Sequence, residues 1–283
     1  MSNKKSSNFS SIFPFIAIPV TVVVGVVIYL KLLGSPANFQ GYDPNKTDYT
    51  TEQLDEIRAK EHPVKTGIRS WYGTIYKGGI IVPCLIATLL TVLIFFVERM
   101  VSMMQARGSG NVTNFVRNIR GLLQNNQVDQ AIALCDKQRG SIGNVMKSGL
   151  QKYKALETEQ HMDKDQKLES LKQEIEEATA LELPMLSKNL VILSTCASLG
   201  VLIGLIGTVM GMIKAFQSMS SSVPDPATLS LGISEALVNT FLGILASALA
   251  IIFFNFFSNR VDQMTYSIDE AGFSVAQTFA QKH

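Results

Sequence analysis

Glu235 lies inside a run of apolar residues, 231–257, where an acid is out of place. A charged carboxylate in hydrocarbon costs at least ~2.5 kcal/mol, so such a side chain faces a cavity or a partner and marks an ion path, or else forms one half of a structural ion pair. The pair has a named candidate. Counted at about 1.5 Å per residue from the middle of the 217–230 stretch, Lys214 of the preceding apolar run reaches nearly the same level as Glu235. Both readings stay open on the residues alone. The same count sets Thr208 and Thr240 opposite each other, each about 15 residues from the turn and so close to the middle of a bilayer. A lone threonine in a membrane helix bonds back to its own helix. Two at one level can hold a partner's carboxylic acid with hydroxyl donors, or order a short file of water. One carboxylate and two hydroxyls cannot carry a proton across ~30 Å of hydrocarbon, so the set calls for a second chain with a titrating group near the midplane.

The residues around this set are small and regularly spaced. Gly200, Gly204, Thr208, Gly211 and Ala215 follow one another at three- or four-residue steps, as do Gly232, Ala236, Thr240, Gly243, Ser247 and Ala250. Each series puts one stripe along one helix face, and small stripes let helix backbones approach closely, which in lipid stands in for the missing hydrophobic force. Packing alone explains the glycines and alanines. It does not explain Glu235.

The elements that must position these residues are membrane helices. Of the 283 residues 47% are hydrophobic and only 17% charged, below the usual quarter. Four stretches, 12–29, 79–97, 190–213 and 231–257, are nearly free of charge and each about 18 to 27 residues long, enough to cross a bilayer. The first reads as a retained helix, because its apolar core exceeds a signal peptide's ~7–15 residues and no small-x-small cleavage site follows. Cys84, Cys135 and Cys196 make no disulfide framework. His62, His161 and His283 are isolated, no ligand set at metal spacing is visible, and no nucleophile–base pair suggests an enzyme; no cofactor is expected. A net charge of +2 gives no reason to expect nucleic acid.

Orientation follows from short loops. The 217–230 stretch holds no Lys or Arg, while Arg99, Arg107, Lys188 and Arg260 flank the opposite ends of spans two to four, so both termini are expected inside. The expected organisation is an extra N-terminal span at 1–33, a periplasmic segment at 34–78, a second span at 79–98, a cytoplasmic helical domain at 99–189, a transmembrane hairpin at 190–258 and a cytoplasmic tail at 259–283. In the helical domain, Val112 and Thr113 start a helix carrying Phe115, Ile119, Leu122 and Leu123. A second carries Val128, Ala131, Ile132 and Leu134 and breaks at Gly140. A third begins at Asp163 as its cap and runs toward Leu190, kinked near Pro184. The fold class is all-α, a polytopic membrane protein with long helices reaching into the cytoplasm.

Residues 204–216, GLIGTVMGMIKAF, resemble the GLxGTVxGMIxAF helix of the MotA/TolQ/ExbB proton-channel family, and 232–240, GISEALVNT, resemble its GIxEALxxT helix, followed by Gly243 and Asn255. Weaker similarity covers QAIALC at 130–135, residues 174–190 and VERM at 97–100, so the resemblance spans about 79–260 and is closer to ExbB and TolQ than to MotA. The resemblance implies a homopentameric ring around two copies of a single-span ExbD- or TolR-like partner whose membrane aspartate carries the proton. It also implies a TonB- or TolA-like protein that receives the work in the bacterial inner membrane. It puts Thr208, Thr240 and Glu235 at polar pore-lining positions, with Gly200, Gly204, Gly211, Ala236, Gly243 and Ser247 as packing or lining residues. Val201 and Leu249 stand where the family carries prolines, and the first span is an addition to the usual three. The implied function is a motor subunit driving TonB-dependent transport. A gliding or flagellar stator and a non-conducting scaffold, in which Glu235 pairs with Lys214 and the threonines only pack, remain the alternatives.

Overall fold

The computed structural model describes residues 3–43, 49–60, 62–65, 67–159, 161–219 and 226–282. Ten α-helices are present among the described residues: α1 (Asn3–Val27), α2 (Thr51–Lys60), α3 (Ile68–Tyr76), α4 (Val82–Arg107), α5 (Val112–Gln124), α6 (Val128–Gln138), α7 (Gly140–Thr158), α8 (Lys164–Ser187), α9 (Leu190–Met219) and α10 (Pro226–Lys282). No strand occurs among them, only an isolated bridge between Phe39 and Pro63. Four helical stretches, carried by α1, α4, α9 and α10, are long and apolar enough to cross a membrane. The all-α, four-span expectation therefore holds. The middle of the 217–230 turn, 220–225, lies outside the described residues, and its two ends are already helical in α9 and α10.

The chain forms two compact units, Met1–Phe96 with Ile192–Phe253, and Val97–Val191 with Phe254–His283. In the first, α1 lays Ala17, Thr21 and Gly25, one turn apart and all buried, against α4. A Cβ on Gly25 would come within 2.9 Å of the Pro83 carbonyl oxygen, and the Thr21 and Thr91 hydroxyls share a hydrogen bond of 2.9 Å. Close backbone approach joins these helices here, and the Phe13 and Phe95 rings meet edge to face with centroids 5.7 Å apart. The first span ends in a π-helical turn, Ile28–Leu33, in which the Gly34 N–H donates to the Tyr29 carbonyl at 2.8 Å. Its last carbonyls would otherwise be orphaned. Asn38 Nδ2 donates to those of Leu32 and Leu33 at 2.8 and 2.9 Å, and Arg58 Nε to that of Gly34 at 2.7 Å. The segment between the first two spans is thus a folded cap.

The second unit is held by large side chains. Phe115, Ile119 and Leu123 of α5, Cys135 of α6, Val145, Met146, Leu150 and Tyr153 of α7, Leu171 and Ile175 of α8 and Ile268, Val275 and Phe279 of α10 make one buried cluster. The Tyr153 and Phe279 rings meet edge to face with centroids 4.8 Å apart. Asn111 caps α5 by accepting from the Thr113 N–H at 2.9 Å, and Gln166 reaches back to the Asp163 N–H at 3.2 Å at the start of α8. Arg99, 1% exposed, bonds the neighbouring Glu98 carboxylate and the Leu186 carbonyl.

Three local expectations need correction or refinement. The region between Gly140 and Asp163 holds a full helix, α7, whose apolar residues from Ile142 to Leu156 recur at helical spacing. The tail expected at 259–283 needs a structural refinement: α10 continues unbroken to Lys282 and buries Ile268, Ala271, Val275 and Phe279. Pro184 lies inside α8, and the chain breaks instead at Lys188–Asn189, where Asn189 takes a left-handed φ of 62°. Asparagine is one of the few residues that tolerate that conformation.

Candidate functional site

The site is built on the antiparallel pair α9 and α10. Its register can be read from what added methyl groups would meet. A Cβ on Gly200 would come within 2.9 Å of the Gly243 carbonyl oxygen, and one on Gly243 within 2.5 Å of the Gly200 carbonyl oxygen. One turn on, a Cβ on Gly204 would sit 3.1 Å from the Asn239 carbonyl oxygen and 3.2 Å from Gly243 Cα. Near the turn, Gly211 and Gly232 stand in the same reciprocal relation at 2.7 and 2.8 Å, with Ala236 beside Gly211 and Ala215 beside Gly232. Ser247 ties the far end by donating to the Ala197 carbonyl across the pair. Gly200, Gly204, Gly211, Ala236, Gly243 and Ser247, expected as packing or lining residues, are all found at this contact.

The stripe of α9 runs through Gly207, which sequence reading passed over. Gly200, Gly204, Gly207, Gly211 and Ala215 are buried, whereas Thr208 is half-buried; on α10, Gly232, Ala236, Asn239, Gly243 and Ser247 are buried and Thr240 is half-buried. The geometric reason is the helical period. Steps of four overshoot 3.6 residues per turn, so a residue counted onto the stripe drifts to its edge. Both threonines therefore border the helix contact. Thr208 Oγ1 donates to the Leu205 carbonyl at 2.6 Å and Thr240 Oγ1 to the Ala236 carbonyl at 3.2 Å. Each hydroxyl donates to its own helix here and keeps lone pairs for an incoming O–H, and rotation about χ1 would redirect that donor toward a partner.

Glu235 is 7% exposed and is gripped by Lys214, whose Nζ lies 2.7 Å from Oε1 and 2.9 Å from Oε2. The level match inferred from residue counting is thus realised as a direct ion pair. Lys214 is half exposed, which weakens the pair relative to a fully desolvated one. The backbone closes over the acid at Gly79, which has a φ of +79° and whose missing Cβ would collide with Glu235 Oε1. Glycine meets both demands, left-handed backbone and close approach.

One turn further along α10, Asn239 is fully buried. Its Nδ2 donates to the Gly78 carbonyl at 2.9 Å, and its Oδ1 is buried without a hydrogen-bond partner among the described residues. Its methylene and amide fill the space that Gly207 leaves empty. The signal was present in the sequence: an amide inside a span, four residues from the acid and so on its face. Glu235 and Asn239 form a buried polar pair on α10, with Gly78 and Gly79 across from them.

Residues 137–270 match the model of the MotA/TolQ/ExbB proton channel family. This range takes in both helices of the site and leaves out the first two spans and the cap. A putative biopolymer transport protein ExbB-like 3 of Synechocystis is 35% identical over 86 residues, 29% of this chain and 41% of that protein. The Tol-Pal system protein TolQ of Pseudomonas aeruginosa is 28% identical over 124 residues, 44% of this chain and 54% of its own. TolQ of Haemophilus influenzae is 38% identical over 84 residues, 29% and 36% of the two chains. The aligned stretches span about half or less of these relatives' own lengths. Four spans make the chain a multi-pass membrane protein, and its residues 137–270 are similar to the MotA/TolQ/ExbB proton channel family, with relatives named ExbB-like and TolQ.

Proposed function

We propose that the chain is the channel-forming subunit of an ExbB/TolQ-type motor in a bacterial inner membrane, converting proton flow into mechanical work. The observation that carries this reading is the buried Glu235–Asn239 face on the hairpin that matches the family, bordered by half-open threonine hydroxyls. The α9–α10 contact uses up its own small residues, so a ring has to form through other faces of the spans. Five copies are expected from the family, around a single-span ExbD- or TolR-like partner whose membrane aspartate would be held by hydrogen bonds from the Thr208 and Thr240 hydroxyls while it takes up and releases its proton. Each charge crossing the membrane supplies ~2.3 kcal/mol per 100 mV, enough for several protons to drive a step of a TonB- or TolA-like arm and power transport at the outer membrane.

The Lys214–Glu235 pair favours one rival, a non-conducting scaffold in which the pair is structural. Neutralisation separates the two. For a path acid, Glu235→Gln lowers proton-coupled activity tenfold or more while the complex still assembles, and adding Lys214→Gln restores nothing. For a structural pair, Glu235→Gln strands the lysine charge and weakens assembly, and the double variant recovers because an absent pair costs less than a broken one. Size-exclusion profiles and proton-coupled activity measured on the same preparations decide the matter. Recovery in the double variant removes Glu235 from the proton path.

A further inference from the structure

The cap between the first two spans divides its charge. Glu52, Asp55 and Glu56 sit on α2 together with Arg58 and Lys60, so its charges nearly balance, whereas 62–77 holds Lys65, Arg69 and Lys77 and no acid. Within that basic stretch α3 shows two unlike sides. Gly73 is buried, and a Cβ there would come within 2.8 Å of the Asn38 carbonyl oxygen and 2.9 Å of Pro63. Tyr76 stacks on Tyr29 of the first span with centroids 4.7 Å apart, and the Tyr29 hydroxyl donates to the Tyr76 carbonyl. On the other side Ile68 is 66% and Trp71 64% exposed, one turn apart. Four residues past α3, Ile80 is 72% exposed where the second span begins, and Leu30 and Leu32 are exposed in the last turn of the first.

We propose that α3 is an interfacial membrane anchor, with Ile68 and Trp71 seated at the boundary of headgroups and acyl chains and the basic residues of 62–77 attracted to lipid phosphate. The Tyr29–Tyr76 stack and the short link through Gly79–Ile81 into α4 hold α3 at the level where two spans end. A tryptophan with one apolar face belongs at that depth, and so does a short helix with apolar residues on one side and Lys or Arg around it. The exposed apolar surface of α3 thereby continues that of the span ends, which lipid already covers. The acids of α2 stay in water. This inference rests on the spans and stands whether or not the chain conducts protons.

Trp71 is the only tryptophan in the chain, so its fluorescence reports this helix alone. The assembled full-length protein is placed in nanodiscs made either of ordinary phospholipid or of phospholipid brominated high on the acyl chain. Bromine should lower the emission about twofold or more, with little further loss on adding aqueous iodide. Ile68→Asp, at a site exposed in the fold, should remove at least half of the bromine effect. Emission untouched by bromine overturns the proposal. Insensitivity to iodide as well would mean that protein, a second copy or a partner domain, covers Trp71; sensitivity to iodide would mean water does. Full bromine quenching that survives Ile68→Asp also contradicts seating through this face.

Discussion

The single helix α10 packs in two opposite ways along its length. Between Gly232 and Ala250 it presents Gly, Ala and Ser to α9, and the partners meet backbone to backbone. Between Ile268 and Phe279 it presents Ile, Val and Phe to α5, α7 and α8, and those contacts are side chain into side chain. The difference follows the solvent. Lipid gives no reward for hiding a leucine, so helices there gain by approaching until their backbones touch and buried polar groups can reach across. Water rewards the removal of large apolar area, about 25 cal/mol per Å², so the other stretch is built from bulk. The polar groups of the candidate site go with the first kind of packing: Glu235, Asn239, Thr208 and Thr240 all lie in or beside the backbone-contact stretch.

The sharpest way to break this comparison is to exchange the residue types. Gly211→Leu drives a side chain into the Gly232 carbonyl, 2.7 Å from where its Cβ would begin, and neither backbone can give way. Loss of nearly all folded protein is expected, read as a collapse of the monodisperse peak in detergent. The opposite change in the other stretch is milder. Leu150→Ala removes a fully buried side chain from the α7 core and should cost about 2–5 kcal/mol, seen as a lowered Tm with the assembly still formed. If the two variants behaved alike, the distinction between the stretches would fail.

Much of this division was legible in the sequence, and what was missed has physical causes. The two stripes could be read because small residues repeat at helical spacing, and the levelling of Lys214 with Glu235 because a helix hairpin has a fixed rise. The exact stripe face could not, since Thr208 and Gly207 are neighbours and a few tens of degrees decide which points at α10. Asn239 was overlooked because one amide in an apolar run carries less cost than a carboxylate. The continuation of α10 past Arg260 was hidden by mixed charge, although Ile268, Val275 and Phe279 keep the period. The pairing of Gly79 with Glu235 joins residues far apart in the chain, and no local pattern reports it.

A smaller effect sharpens the comparison at the core. Burial, with a contribution from the charge of Asp136, pushes the Cys135 thiol up to about 12 from an ordinary 9.0. The folded thiol therefore keeps its proton after the unfolded one has lost it. It costs nothing below pH 9, and stability falls as pH climbs from there toward 12. At neutral pH Cys135 should resist alkylation in the folded protein and react fully in denaturant, and Cys135→Ser should lessen the alkaline loss of stability. Rapid labelling of Cys135 under native conditions would show the core to be looser than this packing allows.

The central claim is that the hairpin's hydroxyls and acid serve proton movement rather than packing. It is tested most directly by proton flux into proteoliposomes that hold the chain with its single-span partner under an imposed membrane potential. Thr208→Val and Thr240→Val keep the shape of the side chain and remove its hydrogen-bonding group, and both positions border the helix contact. Each variant is expected to co-purify with the partner in wild-type proportion and to lose flux tenfold or more. Wild-type flux in both threonine variants and in Glu235→Gln, with assembly intact, would contradict the account.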